Sequence, residues 1–437
     1  MTCGVFRQIL PKSKFVRWVI TLMTGTGLAQ ALLVAFSPIL TRLYTPEDFG
    51  VFALYSSICM VLVIFATGKY ELAIIVPKYD NEAINLVTVT AGLSLLVSAT
   101  LLGFVLIWGA RIIILLGHPE VGPWLYLVPL TTLILGCHHA LNFWTNRRVR
   151  YKSMAASRVM QSGVSVSMQL AAGVSKLGFP GLIMGQMAGQ LISTLFLAKS
   201  LSLEDRRLFR RVSIKRMSCV ARKHIGYPKY MVPGQIMSVG SNELPLLLLT
   251  VFFGVGVAGF YSLAKRVIEA PLSLVAAAVG DVYRQKAAAQ YASQGECLNL
   301  FLASSKWLLM FALLTVLPVI LFGPSLFSFV FGENWRVAGE IASLLAILAF
   351  FQTVSSPLST TLLLVGWLHI DFLWQFVRII LAGLAFYGGY KLTGEYMSSI
   401  KIYILLISVL YILYSFFQYK AAQGKKINEK VRDIHEN

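Results

Sequence analysis

Long apolar runs separated by short polar breaks dominate the chain. About twelve of them approach or exceed 20 residues, at 15–41, 48–68, 83–108, 121–145, 157–175, 179–198, 229–253, 257–282, 300–323, 337–365, 369–390 and 399–419. A helix rising 1.5 Å per residue needs about 20 such residues to cross roughly 30 Å of hydrocarbon. A transmembrane β-barrel would instead show segments of about 10 residues with alternating polarity. The pattern therefore predicts an all-α, polytopic membrane protein with about 12 transmembrane helices. The first run exceeds a signal-peptide core and no small-residue cleavage site follows a short apolar region, so it reads as a retained signal-anchor.

Composition agrees: of 437 residues, 57% are hydrophobic and 13% charged, against about 25% charged in soluble domains, and mean hydropathy is +0.71. The net charge of +19 does not mark a nucleic-acid binder, because its distribution follows the membrane. Lys12, Lys14 and Arg17 precede the first span, and Arg147, Arg148, Arg150, Lys152 and Arg158 fill the fourth connection. Arg206, Arg207, Arg210, Arg211, Lys215, Arg216, Arg222 and Lys223 crowd the sixth connection. Lys420, Lys425, Lys426, Lys430 and Arg432 close the chain. Threading twelve spans puts all of these on one side, so the positive-inside rule places both termini and the even-numbered connections in the cytoplasm. The clusters read first as topology and lipid-headgroup contacts. Cys3, Cys59, Cys137, Cys219 and Cys297 show no paired spacing, so neither a disulfide framework nor a metal site is expected. His138 and His139 lack neighbouring acids and read as core or pore-lining residues. There is no phosphate-binding loop, GxSxG or HExxH. Catalytic residues and a resident cofactor are therefore not expected.

The longest polar connection divides the chain near its midpoint. The expected organisation is a six-helix lobe over 1–198, a basic cytoplasmic linker over 199–228, a second six-helix lobe over 229–420, and a cytoplasmic tail over 421–437. Leu40, Thr41, Gly50 and Leu54 stand at one constant offset from Leu249, Thr250, Gly259 and Leu263. Tyr44 and Phe52 match the aromatic residues Phe253 and Tyr261 at the same offset. A duplicated unit with an even number of spans has parallel repeats, the arrangement in which transporters bind substrate between halves. Pro245, Pro271 and Pro357 interrupt the seventh, eighth and tenth spans, where they kink a helix and free carbonyls. Gly181, Gly185 and Gly189 form overlapping GxxxG spacings suited to close helix packing.

Charges inside spans are the candidate chemistry, since each costs roughly 3 kcal/mol at the bilayer centre and usually faces protein or water. Lys265, Arg266 and Glu269 lie in the eighth span, with Asp281 and Arg284 toward its end. Arg266, Glu269 and Arg284 fall within about 60° on one helical face, and the two arginines stand about 27 Å apart along the axis. Glu269 could form an ion pair with Arg266 or Lys265; the other reading leaves a surplus cation facing a cavity. Arg378 lies in the eleventh span without an acid one turn away, and Arg42 closes the first. Lys69 and Glu71 end the second span on different helical faces. Lys265, Arg266, Arg284, Arg378, Arg42 and Lys69 are thus the candidate substrate-binding residues. Glu71, Glu243, Glu269 and Asp281 are the candidates for proton or sodium coupling.

The same residues carry a family resemblance. The run from Pro38 through Thr41-Arg42-Leu43-Tyr44-Thr45-Pro46-Glu47-Asp48-Phe49-Gly50 resembles the first helix junction of polysaccharide-exporting flippases. So do Lys69-Tyr70-Glu71-Leu72, where relatives commonly have arginine in place of Lys69, and Asn146-Arg147-Arg148. Gly181 to Gln186, and Phe252 through Lys265-Arg266, continue the match to about residue 420. The chain resembles a Wzx-type O-antigen or capsule-repeat flippase of the multidrug/oligosaccharidyl-lipid/polysaccharide superfamily. That resemblance implies a MATE-like pair of six-helix lobes around a central cationic cavity. It also implies an undecaprenyl-diphosphate-linked oligosaccharide moved from the inner to the outer leaflet of a bacterial cytoplasmic (inner) membrane, driven by an ion gradient or the membrane potential. Membrane lipids, a polysaccharide polymerase and a chain-length regulator are the candidate partners. The competing readings are a cation-coupled drug exporter, a lipid II flippase, and a membrane polymerase or ligase; the last is disfavoured by the short outward loops.

Overall fold

The computed structural model describes residues 12–116 and 122–424. Cys3, the Lys425–Arg432 basic cluster and the tip of the 109–120 connection lie outside them. Among the described residues twelve helices reach 20 residues or more: α1 Lys12–Leu43, α2 Pro46–Thr67, α3 Asp80–Leu116, α4 Val128–Arg147, α5 Tyr151–Val174, α6 Phe179–Lys199, α7 Val232–Phe253, α8 Val255–Gln294, α9 Leu298–Phe331, α10 Arg336–Ser355, α11 Leu368–Thr393 and α12 Tyr396–Ala422. They correspond in order to the expected spans. Ten segments are long and apolar enough to cross a membrane. The other two helices, α5 and α8, are as long but more polar: α5 carries Arg158, Gln161 and Gln169, and α8 the charged series from Lys265 to Arg284. At 40 residues, α8 runs about 60 Å, so part of it extends past the hydrocarbon.

The prolines act where the sequence places them. Pro245 and Pro271 lie inside α7 and α8. Pro357 unwinds the tenth span into a 3-10 turn, Ser356–Leu358, before the helix resumes at Thr360–Val365. The chain before α7 is a π-helical turn, Tyr227–Met231, containing Pro228.

The chain forms two compact units. One comprises residues up to Leu43 with Tyr55–Ile236, the other Tyr44–Leu54 with the residues from Met237 onward. The start of α2 thus goes with the second unit, while the other main boundary falls in α7 between Ile236 and Met237. In the first unit α5 packs on both α6 and α1, and α3 on α4. Gly185 and Gly189 allow the α5–α6 approach, because a Cβ on either would overlap α5 atoms of Gln161, Ser165 or Gln169. The segment between the repeats is not loose chain. Two short helices, Leu203–Phe209 and Ile214–Lys223, set Val220, Leu208 and Phe209 against a core containing Trp144, Ile84 and Tyr70.

In the second unit α9 packs on α10, α8 on α10, and α11 on α12. The repeat offset is visible here as geometry. A Cβ on Gly50 would overlap the Val255 carbonyl, and one on Gly259 would overlap the Pro46 carbonyl. Residues 46 and 50 thus meet residues 255 and 259 reciprocally, as a local two-fold relation between helix starts requires. The matched residues Leu40 and Leu249, Thr41 and Thr250, and Leu54 and Leu263 are all buried.

Candidate functional site

The charged residues fall into two settings. In the first unit the acids Asp80, Glu82 and Asp205 are paired. The fully buried Asp205 carboxylate accepts from Arg148 at 2.8 Å and from Arg150 at 2.7 Å. Its residue also closes a capping box on Ser202. Asp80 bridges Arg147 at 2.8 Å and Arg148 at 2.7 Å, and Glu82 takes Lys223 at 2.6 Å and His224 at 3.2 Å. The Arg148 guanidinium also lies 5.2 Å from the Trp144 ring, and Arg147 donates to the carbonyls of Ile74, Ile75 and Pro77. Burial alone would push the Asp205 carboxyl up. The Ser202 backbone and hydroxyl, Arg148 and Arg150 outweigh that and hold it below the usual carboxylate range. The second, fourth and sixth connections thus meet at one end of this unit, as an even-numbered set of connections must.

Lys69 and Glu71 correct one expectation. Gly68 and Lys69 adopt positive φ of 54° and 57°, which ends α2 and turns the chain into the short helix Tyr70–Ala73. The two side chains are therefore not on one continuing helix, and they pair at 3.4 Å. Glu71 is buried, with its Oε2 atom unpartnered. Arg42 is exposed at the end of α1. The rings of His138 and His139 lie 6.3 Å apart. Among the described residues no group of three or more His, Cys, Asp or Glu could hold a metal ion.

In the second unit α8 presents a different picture. Lys265 turns away from Glu269: its Nζ donates to the Asn242 carbonyl at 3.0 Å and lies 3.7 Å from Glu243 Oε1. Arg378 is buried and fastens α11 to α7, donating to Ser241 Oγ, to Asn242 Oδ1 at 2.9 Å and to the Ser238 carbonyl at 3.4 Å. It also donates to Tyr411 at 3.3 Å and lies 4.8 Å from the Trp374 ring. A cavity of about 30 Å³ separates this cluster from Glu269, with Tyr261, Gln352 and Tyr403 also in its wall.

Beyond Glu269 a larger groove of about 390 Å³ opens between α8 and the broken tenth span. Glu269, Ser273, Ala276, Gly280 and Arg284 recur along α8 at three- and four-residue spacing and, with Asp281, form one wall. Gln352, Thr353, Ser356, Ser359 and Thr360 come from the other. Among the described residues Glu269, Asp281 and Arg284 form no ion pair. Arg266 is partly buried one turn before the groove begins, and it too makes no ion pair or side-chain hydrogen bond with a described residue. The structure therefore brings Glu269, Asp281 and Arg284 to one groove, and places Lys265, Glu243 and Arg378 in the adjoining cluster. Arg42, Lys69 and Glu71 belong to neither. Sequence reasoning did not single out the Gln352–Thr360 wall. Its signal was present, since Gln352-Thr-Val-Ser-Ser-Pro-Leu-Ser-Thr360 is a polar stretch inside an apolar span.

Charged and hydroxylated grooves on paired six-helix repeats define a class of multi-pass membrane protein, and comparison with known proteins narrows it. The sequence profile of the family described as "Polysaccharide biosynthesis protein" matches residues 39–340, and the chain belongs to that family. It is 24% identical over 423 residues to the succinoglycan biosynthesis transport protein ExoT of Rhizobium meliloti (strain 1021), covering 93% of this chain and 80% of the relative. It is 23% identical over 175 residues to the teichuronic acid biosynthesis protein TuaB of Bacillus subtilis (strain 168), covering 40% of this chain and 36% of the relative. Among solved structures, the lipid II flippase MurJ in an inward closed conformation matches with a TM-score of 0.69 at 14% identity, over 93% of this chain and 87% of that one. An inward-facing MATE-family multidrug resistance transporter of the MOP superfamily matches with a TM-score of 0.64 at 15% identity, over 92% and 95%. The fold is that of these transporters.

Proposed function

We propose that the protein translocates a lipid-linked oligosaccharide repeat unit, carried on undecaprenyl diphosphate, from the inner to the outer leaflet of a bacterial cytoplasmic membrane by alternating access. Family membership gives the pathway class. The observation that carries the reading is the polar groove of the second unit, whose charged groups form no ion pair among the described residues. A glycan headgroup cannot cross hydrocarbon unaided, and such a groove exchanges its water for protein hydrogen bonds. Arg266 is the group for the diphosphate, supported by its lack of an ion-pair partner among the described residues and by charge-assisted bonding of guanidinium to phosphate. The second connection and the basic fourth and sixth connections face the cytoplasm on this reading, together with both termini. Glu71 and Glu269 are the carboxylates proposed to exchange a proton or sodium ion. A polysaccharide polymerase and a chain-length regulator would take the product onward.

Deleting the gene tests the function. Surface glycan should be lost and lipid-linked repeat units should accumulate on the inner leaflet, both reversed by the wild-type chain. Undiminished surface glycan in the deletion strain would overturn the reading. One observation favours a second reading: two carboxylates against one arginine in the groove suit a cation-coupled exporter of cationic compounds. That reading requires the deletion strain to become hypersensitive to cationic dyes while keeping its surface glycan.

A further inference from the structure

We propose that the groove of the second unit is a glycan subsite that selects neutral or amine-bearing sugars over phosphate- or carboxylate-bearing groups. The inference rests on the transport reading and deepens it by naming the part of the substrate that this groove receives. It follows from the groove's charge balance and from what its side chains can donate and accept.

Glu269 and Asp281 are its two carboxylates and Arg284 its one guanidinium, and none forms an ion pair with another described residue. A phosphate or uronate seated there would face two like charges with one cation at the far end, an arrangement that disfavours anions. A sugar hydroxyl pair donates to a carboxylate in bidentate fashion, and a sugar ammonium would neutralise one carboxylate outright. The opposite wall suits the same ligand. Gln352, Thr353, Ser356 and Thr360 supply amide and hydroxyl groups that both donate and accept. The break at Pro357 is what turns this row toward α8, since the 3-10 turn Ser356–Leu358 replaces continuous helix. Small residues on α8 make the room: a Cβ on Gly280 would already reach 3.4 Å from Pro357 Cβ. The resulting volume of about 390 Å³ lies within the roughly 300–1,000 Å³ typical of small-molecule sites. It is large enough for a short oligosaccharide segment, and Asp281 and Arg284 in its wall are exposed.

The division of labour is then spatial. Arg266 lies outside the groove, before its Glu269 end, and stays available to the diphosphate, while the groove handles the sugars.

Calorimetric titration of the purified full-length protein in detergent tests this with three probes: a glucosamine disaccharide, digalacturonate and inorganic diphosphate. The glucosamine disaccharide should bind at least tenfold more tightly than digalacturonate. Asp281→Asn and Glu269→Gln should each erode that ratio by about tenfold while leaving diphosphate binding unchanged. Lys391→Ala, at an exposed position near the end of α11 and outside the groove, should leave all three unchanged. Equal or tighter binding of digalacturonate, a ratio insensitive to both carboxylate variants, or no binding of either disaccharide would overturn the proposal. Binding is read without any transport, so loss of selectivity in a chain that still restores surface glycan sinks the subsite alone. Retained selectivity in a chain whose deletion leaves surface glycan intact sinks the transport reading instead.

Discussion

The two units handle charge in opposite ways. In the first, Asp80, Glu82 and Asp205 each hold two basic partners within 3.2 Å. In the second, the α8 charges Arg266, Glu269, Asp281 and Arg284 form no ion pair among the described residues. Ion pairs that satisfy one another consume their bonding capacity on architecture. Charges kept near a membrane without partners cost free energy that architecture does not recover, which is why the second set points to a ligand.

The largest effect on stability should come from breaking the first set. Asp205→Ala removes the acceptor of both Arg148 and Arg150 and leaves two partly buried guanidinium groups without it. A loss of about 3 kcal/mol is expected, read as a lower thermal unfolding midpoint and reduced yield in detergent. The pH dependence has a definite sign. A carboxyl held below its usual range in the folded state contributes stability above its unfolded value of about 3.9, and that contribution is lost as pH falls through the depressed folded value. Acid-induced unfolding measured below about pH 4 should therefore be less steep in Asp205→Asn than in the parent chain.

The next effect concerns the reciprocal crossing in the second unit. Gly50→Ala or Gly259→Ala places a methyl group onto a carbonyl of the facing helix, and each should cost about 2 kcal/mol by forcing the helices apart. Because the two share one crossing, the double variant should cost less than the sum of the singles. Strict additivity in thermal unfolding would show that the two glycines do not meet.

This crossing also shows how much the sequence could tell. Helix number and order follow from hydropathy, because an apolar run of about 20 residues has few alternatives in lipid. The offset linking Gly50 to Gly259 was legible as residue identity, and the structure turns it into a contact. The pairing of Lys69 with Glu71 was not legible, because the helical-wheel argument assumes continuous helix and positive φ at Gly68 and Lys69 breaks it. The choice of Glu243 rather than Glu269 by Lys265 was equally hidden, since it depends on how α7 is set against α8. Asp205 drew no attention as the centre of a cluster, its partners Arg148 and Arg150 lying in a different connection. Long-range partners of a charge are set by packing, and no periodicity in a single chain encodes them.

Substitutions in the groove should reverse the pattern of the clasp. Arg284 and Asp281 are exposed, so Arg284→Gln and Asp281→Asn should change stability by less than about 0.5 kcal/mol. Surface glycan restored to a deletion strain should nevertheless fall sharply. Loss of fold alongside loss of glycan, measured on the purified variants, would place these residues with the architecture and erase the contrast between units.

The smallest structural effect and the sharpest functional one should coincide at Arg266. Its guanidinium is partly buried and makes no ion pair with a described residue, so truncation removes a desolvated charge without orphaning a counter-ion, a change close to neutral for the fold. Arg266→Ala should therefore unfold within about 0.5 kcal/mol of the parent yet fail to restore surface glycan. Arg266→Lys discriminates further: a lysine keeps the charge but loses the planar fork that grips phosphate in bidentate fashion, so partial restoration is expected. Full restoration by Arg266→Ala would remove this residue from the diphosphate path. Arg284 would then be left as the only arginine without an ion pair on that helix among the described residues.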